Sequence, residues 1–177
     1  GGEAEHDGLG ASLSAFRAVD GNGEIDLAVG APGYRGAGIV RVYTPGEWDL
    51  VQSYAVDPAH ATWSFVWGDV DRARFGWRVA GVGDLTGDGC DDVLVTAPHG
   101  NVFSRGGLGW VAALSGKSAG LLLFTDWRWI PPHEERSDLM DVGYSLVALS
   151  DVDGDGLREF ALGAPDPFDG GGIQLVS

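Results

Sequence analysis

The apolar positions of this chain fall in short runs, each closed within a few residues by glycine, proline or aspartate, and the runs follow one another in a fixed order. In mid-chain, Gly76-Trp77-Arg78-Val79-Ala80-Gly81-Val82 reads as a first strand whose small residues let a neighbouring backbone come close. An acidic stretch leads into a second strand, Val93 to Thr96, which the Ala97-Pro98 pair stops because proline cannot donate to a ladder. Beyond a glycine-rich turn come a third strand, Trp110 to Leu114, and a fourth, Leu121 to Phe124. The same order opens the chain, with Leu27 to Gly30 before Ala31-Pro32, then Ile39 to Tyr43 and Leu50 to Tyr54. It returns near the end in Phe160-Ala161-Leu162-Gly163-Ala164-Pro165 and Ile173 to Val176. Thirty glycines beside a single methionine fit short strands and tight turns, so helix is expected to be scarce.

The runs are spaced as a repeat. Asp84-Leu85-Thr86-Gly87-Asp88-Gly89-Cys90-Asp91-Asp92 recurs 67 residues later as Asp151-Val152-Asp153-Gly154-Asp155-Gly156-Leu157-Arg158-Glu159. An earlier copy, Asp20-Gly21-Asn22-Gly23-Glu24-Ile25-Asp26, leads into an Ala-Pro pair 66 residues before the next one. Nine residues upstream of each loop start stands an apolar residue followed by glycine: Leu9-Gly10, Phe75-Gly76 and Val142-Gly143. Repeats are expected at about 9–74, 75–141 and 142–177, the last without a fourth strand. A four-stranded unit cannot bury both its faces alone, and radial stacking of such units makes a propeller. The chain is therefore expected to be all-β, a propeller segment of antiparallel blades, two complete and one partial. Since propellers use about four to eight blades, further blades are expected from the same longer chain or from a homo-oligomer.

The acidic loops carry the candidate chemistry. In the Asp151 loop, four carboxylates fall at positions 1, 3, 5 and 9 with glycines between them. Such crowding repels unless a hard cation sits among the oxygens, and Ca²⁺ takes six to eight of them at about 2.3 to 2.6 Å. An EF-hand needs a glutamate at position 12 and flanking helices, whereas position 12 is Leu162 or Val95 and the flanks are strands. The pattern fits a metal loop within a β-hairpin, with Asp151, Asp153, Asp155 and Glu159 as side-chain ligands and the carbonyl of Leu157 at position 7. The second loop offers Asp84, Thr86, Asp88 and Asp92 with the Cys90 carbonyl, one carboxylate having become a hydroxyl. The first has Ala18 at position 1 and retains Asp20, Asn22 and Asp26, and a plain hairpin turn is the competing reading there. Ca²⁺ binding is expected to weaken in the order Asp151 loop, Asp84 loop, Asp20 loop.

With these residues in view, Phe75-Gly76, the acidic loops and the Gly-Ala-Pro triplets at Gly30 and Gly163 together resemble the FG-GAP repeats of the integrin alpha-subunit β-propeller. The resemblance covers nearly the whole chain and implies Ca²⁺ between the first and second strands of each blade, on one rim, and usually seven blades. Departures are Leu9 and Val142 for the phenylalanine, Thr96 for the glycine of the triplet, and Ala18 in the first loop. The implied role is an extracellular or cell-surface binding and adhesion scaffold, with a protein or glycan ligand at a rim.

Charge and the remaining residues narrow this further. A formal net charge of −15 argues against nucleic acid and anionic membranes and suits a chain loaded with cations. Cys90 is the single cysteine, so no internal disulfide exists, and no apolar run reaches the length of a membrane span. His6, His60, His99 and His133 share no metal spacing, and no nucleophile motif or phosphate loop appears, so no enzyme activity is expected. Trp63, Trp67, Trp127 and Trp129 lie between blades, where they pack neighbours together or, in a lectin, stack on sugars. Trp77 and Trp110 are expected in strands and in the core. A non-catalytic appendage of a secreted enzyme is a further alternative.

Overall fold

The computed structural model describes residues 7–17, 22–44, 49–55, 72–100, 109–118, 120–126, 141–165 and 171–176. Their strands are β1 (Ser12–Arg17), β2 (Ile25–Ala31), β3 (Ile39–Thr44), β4 (Asp49–Ala55), β5 (Val79–Gly83), β6 (Asp92–Ala97), β7 (Trp110–Leu114), β8 (Leu121–Asp126), β9 (Ser145–Ala148), β10 (Phe160–Ala164) and β11 (Gly172–Val176). The helical content of this part is a 3-10 turn at Tyr34–Gly36. The strands form three antiparallel sheets in sequence order, β1-β2-β3-β4, β5-β6-β7-β8 and β9-β10-β11. This is the all-β propeller architecture expected, in two four-stranded blades and one of three described strands.

The likeness of the blades extends to their irregularities. In the first two, the register between third and fourth strands shifts at the same place, Val42/Tyr43 and Ala113/Leu114. One expected strand starts late. Gly76 has φ 87° and Trp77 donates its N–H to the Arg74 carbonyl at 3.0 Å, so residues 74–77 form a turn and β5 begins only at Val79. Trp77 accordingly lies half-buried ahead of the strand rather than in the core, its indole Nε1 donating to the Tyr144 carbonyl at 3.1 Å. Trp110 is fully buried, as expected, with its ring stacked at 5.6 Å on Phe75. Trp63, Trp67, Trp127, Trp129, His6, His60 and His133 lie outside the described residues.

Face-to-face stacking explains which positions are buried. In the middle sheet β6 and β7 are buried at every position, because a neighbour covers each face. One face, with Val79, Val93, Val95, Trp110 and Leu114, joins Phe16, Ala28, Val40 and Val42 of the first blade. The opposite face, with Val82, Leu94, Val111 and Ala113, joins Phe160, Leu162 and Ala164 of the third. Each valine, leucine or phenylalanine among them contributes about 1.5–3 kcal/mol relative to exposure. In the third blade the far face has no neighbour among the described residues, and the same alternation leaves Val147 52%, Ile173 87% and Leu175 58% exposed.

Candidate metal centre

Each acidic loop connects the first two strands of its blade, which places all three at the same end of the stacked sheets. The loop at Asp151 lies between β9 and β10 and turns through Gly154 (φ 86°) and Gly156 (φ 94°), conformations that a Cβ would strain. The carboxylates direct this turn. Asp151 Oδ1 accepts the N–H of Gly154 at 2.6 Å and Oδ2 that of Gly156 at 3.0 Å. Asp153 accepts from the Asp155 N–H at 3.1 Å, and Asp155 from the Leu157 N–H at 2.7 Å. Glu159 is only 2% exposed and closes the loop by accepting the Val152 N–H at 2.6 Å. One carboxylate oxygen from each of Asp151, Asp153, Asp155 and Glu159 lies within 4.8 Å of the others. Like charges about 4 Å apart repel by roughly 1 kcal/mol per pair even in bulk water, and more beside a protein surface. A cluster of hard oxygen donors at this spacing matches the donor set of Ca²⁺.

The loop at Asp84 repeats the backbone path, with Gly87 at φ 75° and Gly89 at φ 87°. Asp84 accepts the N–H groups of Gly87 at 2.7 Å and Gly89 at 2.8 Å, and the Thr86 hydroxyl at 3.3 Å. These backbone bonds, that from Gly89 foremost, hold its carboxyl below the usual carboxylate range. Asp88 accepts the Cys90 N–H at 3.0 Å, and the Cys90 side chain is buried. At position 9, Asp92 is fully buried, and its two oxygens accept the N–H of Leu85 at 2.8 Å and of Gly116 at 3.0 Å. Burial pushes its pKa up, against those two bonds, and the charges of Asp88 and Asp84 add to the rise. Asp84, Asp88 and Asp92 are not drawn together as the Asp151 group is. Asp92 is one methylene shorter than Glu159 and is tied to the β7–β8 turn, so its carboxylate stays with the backbone.

In the first loop, Asn22 accepts the Glu24 N–H at 2.7 Å and is exposed, Asp26 is fully buried, and Asp20 lies outside the described residues. The structure thus separates two kinds of position that the spacing treats alike. Positions 1, 3 and 5 of the Asp151 loop are exposed, whereas position 9 is buried in all three loops, at Asp26, Asp92 and Glu159. Two participants were missed from the sequence. Gly116 supplies an N–H to Asp92, and the Lys117 ammonium donates to the Asp88 carbonyl at 3.4 Å. Both belong to the turn after β7, whose meeting with the loop follows only from the pairing of β6 with β7.

Comparison with known proteins agrees with this architecture. Residues 75–112 match the model of the FG-GAP repeat. The chain is 30% identical over 158 residues to integrin alpha-V of Gallus gallus, covering 82% of this chain and 14% of that protein. It is 31% identical over 153 residues to integrin alpha-IIb of Homo sapiens, covering 82% and 14%, and 29% identical over 166 residues to integrin alpha-PS2 of Drosophila melanogaster, covering 89% and 10%. It therefore spans a small part of the length of these relatives. Among solved structures, the exotype rhamnogalacturonan lyase YesX aligns with a TM-score of 0.45 at 12% identity, over 86% of this chain and 29% of the other, a likeness too distant to bear on chemistry. From repeat motif, blade architecture and relatives alike, the chain carries an FG-GAP repeat and is similar over most of its length to integrin alpha subunits.

Proposed function

We propose that this chain is a segment of a calcium-stabilised, extracellular adhesion-type propeller, a scaffold presenting a protein or glycan ligand at a rim and carrying out no chemistry of its own. The observation that carries the reading is the gathering of Asp151, Asp153, Asp155 and Glu159 oxygens within 4.8 Å in a loop built by glycine turns. Ca²⁺ there supplies positive charge to a group that otherwise repels itself, and water and the Leu157 carbonyl complete its shell. The Asp84 loop, through Asp84, Thr86, Asp88, Asp92 and the Cys90 carbonyl, is a weaker site. The Asp20 loop, through Asp20, Asn22 and Asp26, is weaker again. The net charge of −15 supports the reading, since each ion would neutralise two charges.

The role of the metal is structural: it joins the first two strands of a blade at their shared loop. The relatives support an adhesion scaffold, and blades beyond the described ones complete the ring. Thermal melting tests the scheme. Saturating Ca²⁺ raises the melting temperature over that in EDTA, in keeping with roughly 2.7 kcal/mol at a hundredfold excess over Kd. Identical melting in the two conditions would sink it.

A further inference from the structure

The described residues at the end of the sheets away from the acidic loops are basic. Those loops join the first strand of a blade to the second, so the turn between β2 and β3 and the turn leading into β5 lie at the other end. Arg35, Arg72, Arg74 and Arg78 meet there, in a chain that has only 11 lysines and arginines and a net charge of −15. The acidic side chains described at this end are Asp7, 5% exposed, and the partly buried Asp141.

Main-chain bonds across the seam between the first two blades bring the arginines together. The Arg72 N–H donates to the Gly36 carbonyl at 2.8 Å and the Phe75 N–H to that of Ala37 at 2.8 Å, and Gly38 is bridged to Phe75 in parallel, so residues 35–38 and 72–75 run side by side. Arg35, Arg72 and Arg74 have φ of 49°, 72° and 59°, and among the described residues they are the only ones other than glycine in the left-handed region. A long side chain is a strained occupant of that region, and strain of this kind gathers where a site needs its groups held in place.

The guanidinium groups are braced as well as gathered. That of Arg35 lies 5.2 Å from the centre of the Tyr34 ring, and those of Arg74 and Arg78 lie 5.4 and 5.5 Å from the Trp77 ring. Arg78 Nη1 donates to the Trp77 carbonyl at 2.9 Å, and Trp77 is itself fixed by its bond to the Tyr144 carbonyl and by the Tyr144 ring at 5.2 Å. The ion pair described beside them joins His99 to Asp141. Arg35, Arg72 and Arg74 are exposed and Arg78 is half-buried, so their remaining donors face water. A guanidinium held in this way is a ready fork for a carboxylate or a sulfate.

Cations spread over adjoining turns suit a ligand that carries anions at intervals. A peptide is bound by strand addition or in a groove, and the strands present their ends here, not an edge that could extend a ladder. An acidic polysaccharide needs neither, since its anionic groups take the guanidinium forks while its ring C–H faces rest on aromatic surface such as Tyr144, 39% exposed. We infer that Arg35, Arg72, Arg74 and Arg78 form a binding site for an acidic polysaccharide bearing uronate or sulfate groups. This rests on the ligand-presenting role proposed above and gives it a chemical class, but it does not depend on the metal.

Calorimetric titration of the 177-residue chain in EDTA tests it, with heparin oligosaccharides, oligogalacturonate and poly-glutamate of matched charge as probes and dextran as the neutral control. Oligogalacturonate carries uronate alone and heparin carries sulfate too, so the pair identifies which anion is read. At least one of them binds, poly-glutamate binds about tenfold or more weakly, and dextran does not bind. Arg35→Gln and Arg72→Gln each lower the affinity by about tenfold, and Arg74→Lys, which keeps the charge and loses the fork, also weakens it. Arg17→Gln, at an exposed arginine of the acidic-loop end, leaves it unchanged. Circular dichroism establishes that each variant is folded, and the two exposed glutamine variants carry the test if Arg74→Lys unsettles Trp77. Failure of both saccharides to bind, equal binding of poly-glutamate, undiminished binding by the folded glutamine variants, or an equal loss in Arg17→Gln would each overturn the inference. Calcium-dependent melting of a chain that binds no saccharide would leave the calcium-stabilised scaffold standing, so the two failures are distinguishable.

Discussion

The buried carboxylate of Asp92 accepts the backbone N–H of Gly116 at 3.0 Å while its other oxygen accepts that of Leu85 at 2.8 Å, so a single side chain ties the Asp84 loop to the turn after β7. Its raised pKa marks a cost of burial that these two bonds offset only in part. Removing the acceptor is costlier than keeping a neutral one. Asp92→Ala leaves both amides without it and is expected to lower stability in EDTA by about 2–6 kcal/mol, at roughly 1–3 per unmet buried group. Asp92→Asn retains one acceptor oxygen and no charge, and should fall between the two. Urea unfolding with metal chelated checks the order.

The exposed and buried positions of the proposed calcium site predict different consequences of substitution. Asp151→Ala or Asp155→Ala removes an exposed carboxylate whose loop N–H partners can turn to water instead, and on the proposed reading should abolish the tightest Ca²⁺ site while leaving the metal-free stability within about 1 kcal/mol of the native chain. Glu159→Gln should do both kinds of harm, since Glu159, unlike the two aspartates, is buried where it holds the Val152 N–H at 2.6 Å. Calorimetric titration with Ca²⁺, set beside urea unfolding in EDTA, separates the two. Full stoichiometry in both aspartate variants would contradict the assignment.

The Trp77 seam predicts a pH dependence unrelated to metal. Burial raises the pKa of Asp141, against the lowering influence of His99, whose Nδ1 is 3.9 Å away, and of Arg74. A carboxyl with a raised folded-state pKa contributes its stabilisation below the unfolded value, near 3.8, and loses it as the pH rises through the folded value. Asp141→Asn should therefore be at least as stable as the native chain at neutral pH. The advantage grows from about pH 4 upward and levels off, staying under about 1 kcal/mol for a group this open to solvent. Unfolding curves collected from pH 3 to pH 7 in EDTA follow it.

How far the sequence could be read depended on the range of the interaction concerned. The strands at Trp110–Leu114 and from Ile39 onward were legible because alternation, glycine and proline act locally, and the acidic loops because their carboxylates lie within nine residues. Trp77 was misplaced because the turn at Gly76 is held by its seam with the first blade. The burial of Asp92 was hidden for a like reason, as Gly116 lies 24 residues away. Phe75-Gly76 and its counterparts showed only as markers of register. Their role depends on Gly38 and Gly30, which the chain brings to them by stacking one blade on another.

That stacking predicts which glycines can be replaced. A Cβ on Gly30 would overlap the Gly76 carbonyl across the first seam, and backbone cannot rotate away as a side chain can. Gly163 occupies the corresponding place in the third blade, where the added Cβ would meet only the Ser145 side chain, which can change rotamer. Thr96 stands at the same place in the second blade, and a Cβ on the facing Gly143 would come within 2.8 Å of its own Cβ, so a side chain is accommodated there only because Gly143 has none. Gly30→Ala is thus expected to cost about 1–3 kcal/mol through overpacking, and Gly163→Ala less than about 1 kcal/mol in the isolated chain. Neither glycine is at positive φ, so the difference measures the seam and not local backbone strain. Equal losses in urea unfolding of the two variants would mean that the first seam yields as readily as a free rotamer, contrary to the packing described.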